Sequence, residues 1–229
     1  MAWLVHLLEP ATSVPLSLDS SSTAVLEAGL RASARPHGQL LVNSASLERL
    51  DVLELAADHG SPLVLGAAGE DGLPQTVEER VANARRILAA ASKRGIAPHL
   101  LHVDLLVLPI GVDPEAGTGY LEAARQLRAE HGETIRITGG LSNVSFGLPN
   151  RRLLTDVFVA LAVDARVDSG IVDPIATNPA RIAAMDRATR AFRLAVDVLT
   201  GADAYAMEYL TAFRAGELGE AGPRAASPR

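Results

Sequence analysis

Short apolar runs alternate along this chain with longer segments of helical period, and the alternation holds from the first residues to about residue 214. Six of the short runs predict strands: SVPLSLD over 13–19, GQLLVN over 38–43, SPLVLG over 61–66, HLLHVD over 99–104, TIRITGG over 134–140 and DSGIVDP over 168–174. Each is bounded by Gly, Pro, Ser, Asn or Asp. Most lack the polar alternation of a half-solvated antiparallel sheet, so they read as strands buried on both faces. The segments between them predict helices near 23–34, 46–59, 75–95, 117–131, 151–165 and 179–199, with a last one near 203–214. The pattern is clearest in 75–95, where Val77, Val81, Ala84, Leu88 and Ala91 fall at four-three spacing and form one apolar stripe, and Gly95 supplies the stop. The opening MAWLVHLLEP reads as a short helix, because its apolar run breaks at Pro10 and is too short to cross a membrane.

Strands alternating with helices in this way predict a parallel α/β fold, most of a (β/α)8 barrel, in which ligands gather where the strands end. Polar residues fall at those ends. Asp19 closes the first strand, Asn43 the second, Asp104 the fourth and Asp173 the sixth, while Asn143 follows the fifth within GGLSN. Each alone is equally well a helix cap or turn former, but five together weaken that reading and point to one polar ligand site. Carboxylates and amides held at fixed positions suit the edge of a flat nitrogen heterocycle, a pterin or purine, which presents amino, ring N–H and carbonyl groups in a row. His102 faces the same way as Asp104 two residues on, and reads first as a packed core histidine.

Composition removes several alternatives. The 229 residues, 48% of them hydrophobic, are enough for one well-buried domain over 1–214, and the Gly-, Ala- and Pro-rich end, 215–229, reads as a disordered tail. There is no cysteine, which excludes disulfides and thiolate chemistry and fits a cytoplasmic setting. The net charge is −6 and the 20 Arg are dispersed, so nucleic acid is not an expected partner. The single lysine, Lys93, sits at a helix end and reads as solvent-facing, which argues against Schiff-base catalysis. The histidines show no metal-ligand spacing.

The most distinctive segment is GGLSNVSFGLPNRRLLTDVFVALAVDARVDSGIVDP, 139–174. It resembles the pterin-binding methyltransferases that move a methyl group between methyltetrahydrofolate and a corrinoid protein, including the folate domain of cobalamin-dependent methionine synthase. The strand-to-helix turn of Gly140 to Ser145 and the pair Asn150-Arg151 carry the likeness. LDSS at 18–21, VNS at 42–44, GLP at 72–74 and HVD at 102–104 occur in the family's order.

The resemblance implies a TIM-type barrel that takes 5-methyltetrahydrofolate or tetrahydrofolate as substrate, with cobalamin carried by a partner corrinoid protein. Asp19, Asn43 and Asp104 match residues that bond the pterin edge, Gly140, Ser142 and Phe146 fall within the substrate-binding turn, and Asn143 matches the Asn beside N5. Phe146 stands where related sequences can have a Gln that helps hold the substrate, and Leu105 stands where a Pro is usual. The family opens with two βα units before the point matched by Met1, so six of the eight strands are expected. A misplaced start, a separate polypeptide that supplies the missing strands, or decay of a paralogue would each account for the gap, and a homodimer is a further partner to expect. A non-catalytic pterin-binding scaffold is the alternative. A dihydropteroate synthase-like enzyme is a weaker one, since the strand-end Lys and late Ser-x-Arg-x-His pattern of that family are absent.

Overall fold

The structure, a computed structural model, describes residues 1–70 and 72–218. Five strands, β1 (Ser17–Asp19), β2 (Leu41–Ala45), β3 (Leu63–Gly66), β4 (Leu101–Asp104) and β5 (Arg136–Thr138), form one open, wholly parallel sheet in the order β1-β2-β3-β4-β5. The helices are α1 (Ala2–Leu8), α2 (Thr23–Ala32), α3 (Asp51–His59), α4 (Val77–Lys93), α5 (Ala116–His131), α6 (Arg151–Asp164), α7 (Pro179–Ala183), α8 (Arg190–Leu199) and α9 (Met207–Arg214). The chain divides into two compact units. The first comprises Met1–Leu106 and Gln126–Thr138 and holds the sheet; the second comprises Val107–Arg125 and the residues from Gly139 onward.

In the first unit the strand register sorts the side chains into two faces, because neighbours in a parallel ladder point the same way. Leu18, Val42, Leu63 and Leu101 are register partners, as are Leu65, Val103 and Ile137, and all seven are buried. Helices α2, α3 and α4 pack on β1, β2 and β3, and burying each such Leu or Val side chain contributes about 1.5–3 kcal/mol. The opposite face is mostly polar. Asp19, Asn43, Val64, His102 and Arg136 form one row across the five strands, and Gly66, Asp104 and Thr138 form the next. Val64 and Thr138 are buried there, Asp19 and Arg136 are exposed, and Asn43, His102 and Asp104 are half-buried. The expectation of strands buried on both faces therefore holds for β3 and fails at the polar positions of the others. A bulge between Asn43 and Ala45, next to the cis peptide Asn43–Ser44, ends the regular register of β2 with β3.

The expected sixth strand, 168–174, is not a strand. Its backbone makes one bond to the end of the preceding strand segment, from Ile171 N–H to the Gly139 carbonyl. One bond does not make a ladder, and Pro174 removes a further donor. The helix expected over 179–199 is two. Asn178 caps α7 through the Arg181 N–H, and Thr189 caps α8 through the Phe192 N–H. Between them the Asp186 carboxylate accepts from the Ala188 N–H, and these local bonds compete with a continuous helix. Similarly, α3 begins only at Asp51, five residues later than expected, because Leu47 is buried and Arg49 reaches across to the Ser20 carbonyl at 3.1 Å. Leu218 is buried and its carbonyl accepts from the Asn150 amide, so the expected tail is anchored at that residue. The rest of that tail, 219–229, lies outside the described residues.

Candidate active site

Asp19, Asn43 and Asp104 all stand on the polar sheet face of the first unit; Asp19 and Asp104 close β1 and β4, while Asn43, expected at the end of its strand, is the middle residue of β2. Among the described residues no hydrogen bond within the protein engages the side chains of Asp19 or Asn43. Asp104 accepts one, from the Leu106 N–H to Oδ1 at 2.8 Å. Desolvation raises the Asp104 carboxyl above its ordinary pKa, while the Leu106 N–H and the Arg80 charge pull it back. The outcome differs for Asp173. Its Oδ1 accepts from Ile175 N–H at 2.8 Å and Ala176 N–H at 3.4 Å, so this side chain closes its own turn and is a cap.

Helix α4 holds the strand ends from outside. Its N-terminus is secured by the Thr76 hydroxyl, which accepts from Glu79 N–H at 3.1 Å, and by the Glu79 carboxylate, which accepts from Gln75 N–H at 2.8 Å. One turn inward, buried Arg80 donates to the carbonyls of Leu105 and Leu106, and Asn83 donates to the Ala67 carbonyl at 3.2 Å. Ala67 N–H donates in turn to the Asp104 carbonyl at 2.9 Å. Sequence reasoning misses Arg80. A signal is present all the same: residues 80, 84, 87 and 91 repeat at four-three-four spacing beside the apolar stripe, which puts a charge at the margin of a buried face.

In the second unit, Gly140 to Ser145 form a tight turn, with a 3-10 helix over Leu141–Ser145. Two glycines permit it. A Cβ on Gly139 would lie 2.9 Å from the Tyr120 ring, and one on Gly140 would lie 2.7 Å from Asn143 Nδ2. The Asn143 amide is therefore folded back over the glycine backbone. It is half-buried, and among the described residues no hydrogen bond within the protein engages it. Ser142 is half-buried too. Its carbonyl accepts from Ser145 Oγ at 3.0 Å and from Arg151 Nη2 at 3.3 Å. Ser145 is buried and shares a 3.1 Å bond with the Thr155 hydroxyl.

Phe146, 45% exposed, carries the Arg151 guanidinium 4.2 Å above its ring centre. A cation over an exposed aromatic face contributes about 0.5–1 kcal/mol. Phe146 thus holds an arginine at this turn. The sequence marks Arg151 as half of an Asn-Arg pair, but its aromatic partner is not legible there. The left-handed turn at Asn150, φ +49°, gives no sequence signal beyond the asparagine itself.

Lys93 is exposed at the end of α4. Among the described residues no helix is long and apolar enough to cross a membrane, and no group of three His, Cys, Asp or Glu is placed to hold a metal ion.

One unit presents a polar sheet face, and the other a glycine-built turn that carries an amide. The chain belongs to the pterin binding enzyme family, whose pattern it matches over residues 1–173. It is similar to a methylcorrinoid:tetrahydrofolate methyltransferase of Eubacterium limosum, 30% identical over 224 residues that cover 96% of this chain and 78% of that relative. It is also similar to the methionine synthases of Mycobacterium leprae, at 33% identity, and Mycobacterium tuberculosis, at 32%. Each of those alignments runs over 187 residues, 75% of this chain but 15% of the much longer synthase.

Proposed function

We propose that the chain is a methyltransferase that moves a methyl group between 5-methyltetrahydrofolate and the cobalt of a corrinoid carried by a partner protein. The observation that carries this reading is membership of the pterin binding family across a span, 1–173, that takes in both the strand-end face and the Asn143 turn. The name of the Eubacterium relative joins the same two substrates.

Asp19, Asn43 and Asp104 bond the amino and ring N–H groups of the pterin edge. Gly140 and Ser142 shape the turn, and Phe146 with its stacked Arg151 forms part of the substrate wall. Asn143 attends N5. A tertiary amine is a poor leaving group, so the methyl leaves only as N5 gains positive character. An amide that can present either its N–H or its carbonyl serves both protonation states of that nitrogen. The corrinoid cobalt supplies the electron pair that accepts the methyl. The open parallel sheet is part of a (β/α)8 barrel. The setting is cytoplasmic, where tetrahydrofolate chemistry and a cysteine-free chain are both at home.

Pterin binding tests the reading. Asp104→Asn lowers the affinity for 5-methyltetrahydrofolate in a fluorescence or calorimetric titration by on the order of tenfold to a hundredfold, the cost of losing one charge-assisted bond. The pH dependence has a fixed sign. Asp104 has a raised pKa, so the bonding carboxylate is present above that pKa and wild-type affinity falls as pH drops through it. Asp104→Asn loses this acid limb. Equal affinity of the two proteins at every pH would remove Asp104 from the site, and tight binding without methyl transfer to any corrinoid would favour a scaffold subunit.

A further inference from the structure

Asp104 is held by a small lattice of bonds that the pterin reading does not itself require. Leu106, two residues on, lies in the left-handed region at φ +62°, a conformation that a branched L side chain rarely adopts. In that conformation its N–H points back to Asp104 Oδ1 at 2.8 Å. The strained turn is pinned by Arg80 of α4, 3% exposed, whose Nη1 donates to the carbonyls of both Leu105 and Leu106. Strain of this kind persists only where the surroundings over-determine it.

We infer that Arg80 is a positioning residue for the reaction: by clamping the Leu105–Leu106 turn it aims the Asp104 carboxylate along the polar sheet face, with its own positive charge set behind that turn. The inference rests on the proposed role of Asp104 as a pterin ligand.

The geometry excludes two simpler readings. Arg80 is not a surface charge, since it is buried, and its donors go to backbone carbonyls at a strand end where a packing residue would need no charge. Nor is it a direct ligand to Asp104: among the described residues the only hydrogen bond to that carboxylate comes from the Leu106 N–H, and the Arg80 charge reaches it without one. Thr138 of β5 and Gly66 of β3 flank Asp104 in the same row, and His102 and Arg136 lie one row back on the same face. Of these, His102 and Arg136 carry or can carry charge, so variants at Arg80 are compared with both residues unchanged.

The experiment compares wild type, Arg80→Met, which removes donor and charge but keeps the apolar stem, and Arg80→Lys, which keeps both. Two readouts are taken: the dissociation constant for 5-methyltetrahydrofolate across pH, and the titration of the Asp104 carboxyl followed by 13C NMR without any pterin. Arg80→Met binds on the order of tenfold more weakly, short of the hundredfold that a full 1 Å misplacement can cost. Its acid limb and its Asp104 titration both move to higher pH, a shift that a merely structural loss would not produce. Arg80→Lys, with a single nitrogen that can serve both carbonyls, restores the affinity and the titration toward wild type. A folded Arg80→Met with wild-type affinity and a wild-type Asp104 titration overturns the inference. Should Arg80→Met not fold, Arg80→Gln, a neutral donor, takes its place with the same readouts, and an unmoved Asp104 titration there overturns it equally. A wild-type chain that titrates Asp104 as described yet does not bind methyltetrahydrofolate contradicts the functional reading instead.

Discussion

Asn143→Ala lowers the rate of methyl transfer by on the order of a hundredfold to a thousandfold, while 5-methyltetrahydrofolate still binds close to wild-type affinity. In the proposed site the pterin edge is bonded by Asp19, Asn43 and Asp104, and none of these is touched by the change. On the proposed role of Asn143, what is lost is an amide beside N5, whose value lies in the transition state, when the nitrogen gains and then surrenders positive character. The fold tolerates the substitution. No hydrogen bond within the described protein engages the Asn143 side chain, so alanine leaves no partner unsatisfied. Removing the amide only clears the space over Gly140 that its Nδ2 fills. Single-turnover rates and equilibrium binding, measured on the same preparation, check the result. A matched loss of affinity and rate would instead make Asn143 a uniform binding residue.

The second large effect is on stability. Arg181→Ala destabilises the second unit by about 2–3 kcal/mol, at or below the low end for removing one member of a buried ion pair, because Arg181 is one-third exposed. Asp156 is the buried member, 7% exposed at its side chain, and it accepts from Arg181 Nε at 2.9 Å and Nη2 at 2.8 Å. Desolvation raises its pKa, and the Arg181 bonds and charge oppose that rise. Linkage fixes the sign. A folded pKa above the unfolded value means the folded state binds the proton more tightly, so the penalty is absent below the unfolded pKa. It grows as pH rises toward the folded pKa and is complete above it. Without Arg181 the folded pKa climbs further and the window widens upward. Thermal denaturation therefore shows a larger loss near neutral pH than in mild acid. An equal loss at both would mean that the pair contributes packing and not charge.

The legibility of the fold in the sequence differs from element to element. The five strands are legible because each falls in a short apolar run bounded by turn-forming or polar residues, and β3 is the clearest case: LVLG is buried at every position. The segment 168–174 has the same composition and is not a strand, because a strand is defined by its neighbours and Ile171 finds only one backbone bond. Apolar runs report a burial tendency and not a ladder. Helix ends depart from expectation where side chains outcompete the period, as at Asp186 and Thr189 between α7 and α8.

The candidate site divides along the same line. Asp19, Asn43 and Asp104 stand out through their place at the ends of expected strands, and the register sets them on one sheet face. Asp173 looks identical in sequence, and only its bonds to Ile175 and Ala176 reveal a cap. Arg80 and Arg151 act through backbone carbonyls and an aromatic face, contacts formed across 25 or 26 residues in the first case and around a left-handed turn in the second. The sequence marks the position of each, Arg80 at the margin of a buried helix face and Arg151 in an Asn-Arg pair, but not the contact it makes.

Methyl transfer between the pterin N5 and a corrinoid is tested most directly by a single-turnover experiment. The chain is mixed with 5-methyltetrahydrofolate labelled on its methyl group and with a reduced corrinoid, and the corrinoid spectrum and the position of the label are followed together. The expected result is that the methyl-cobalt spectrum and the label in the corrinoid appear at the same rate, and that Asn143→Ala slows both alike. Label that stays on the pterin, while the wild-type chain binds it tightly, would contradict methyl transfer as the function of this site.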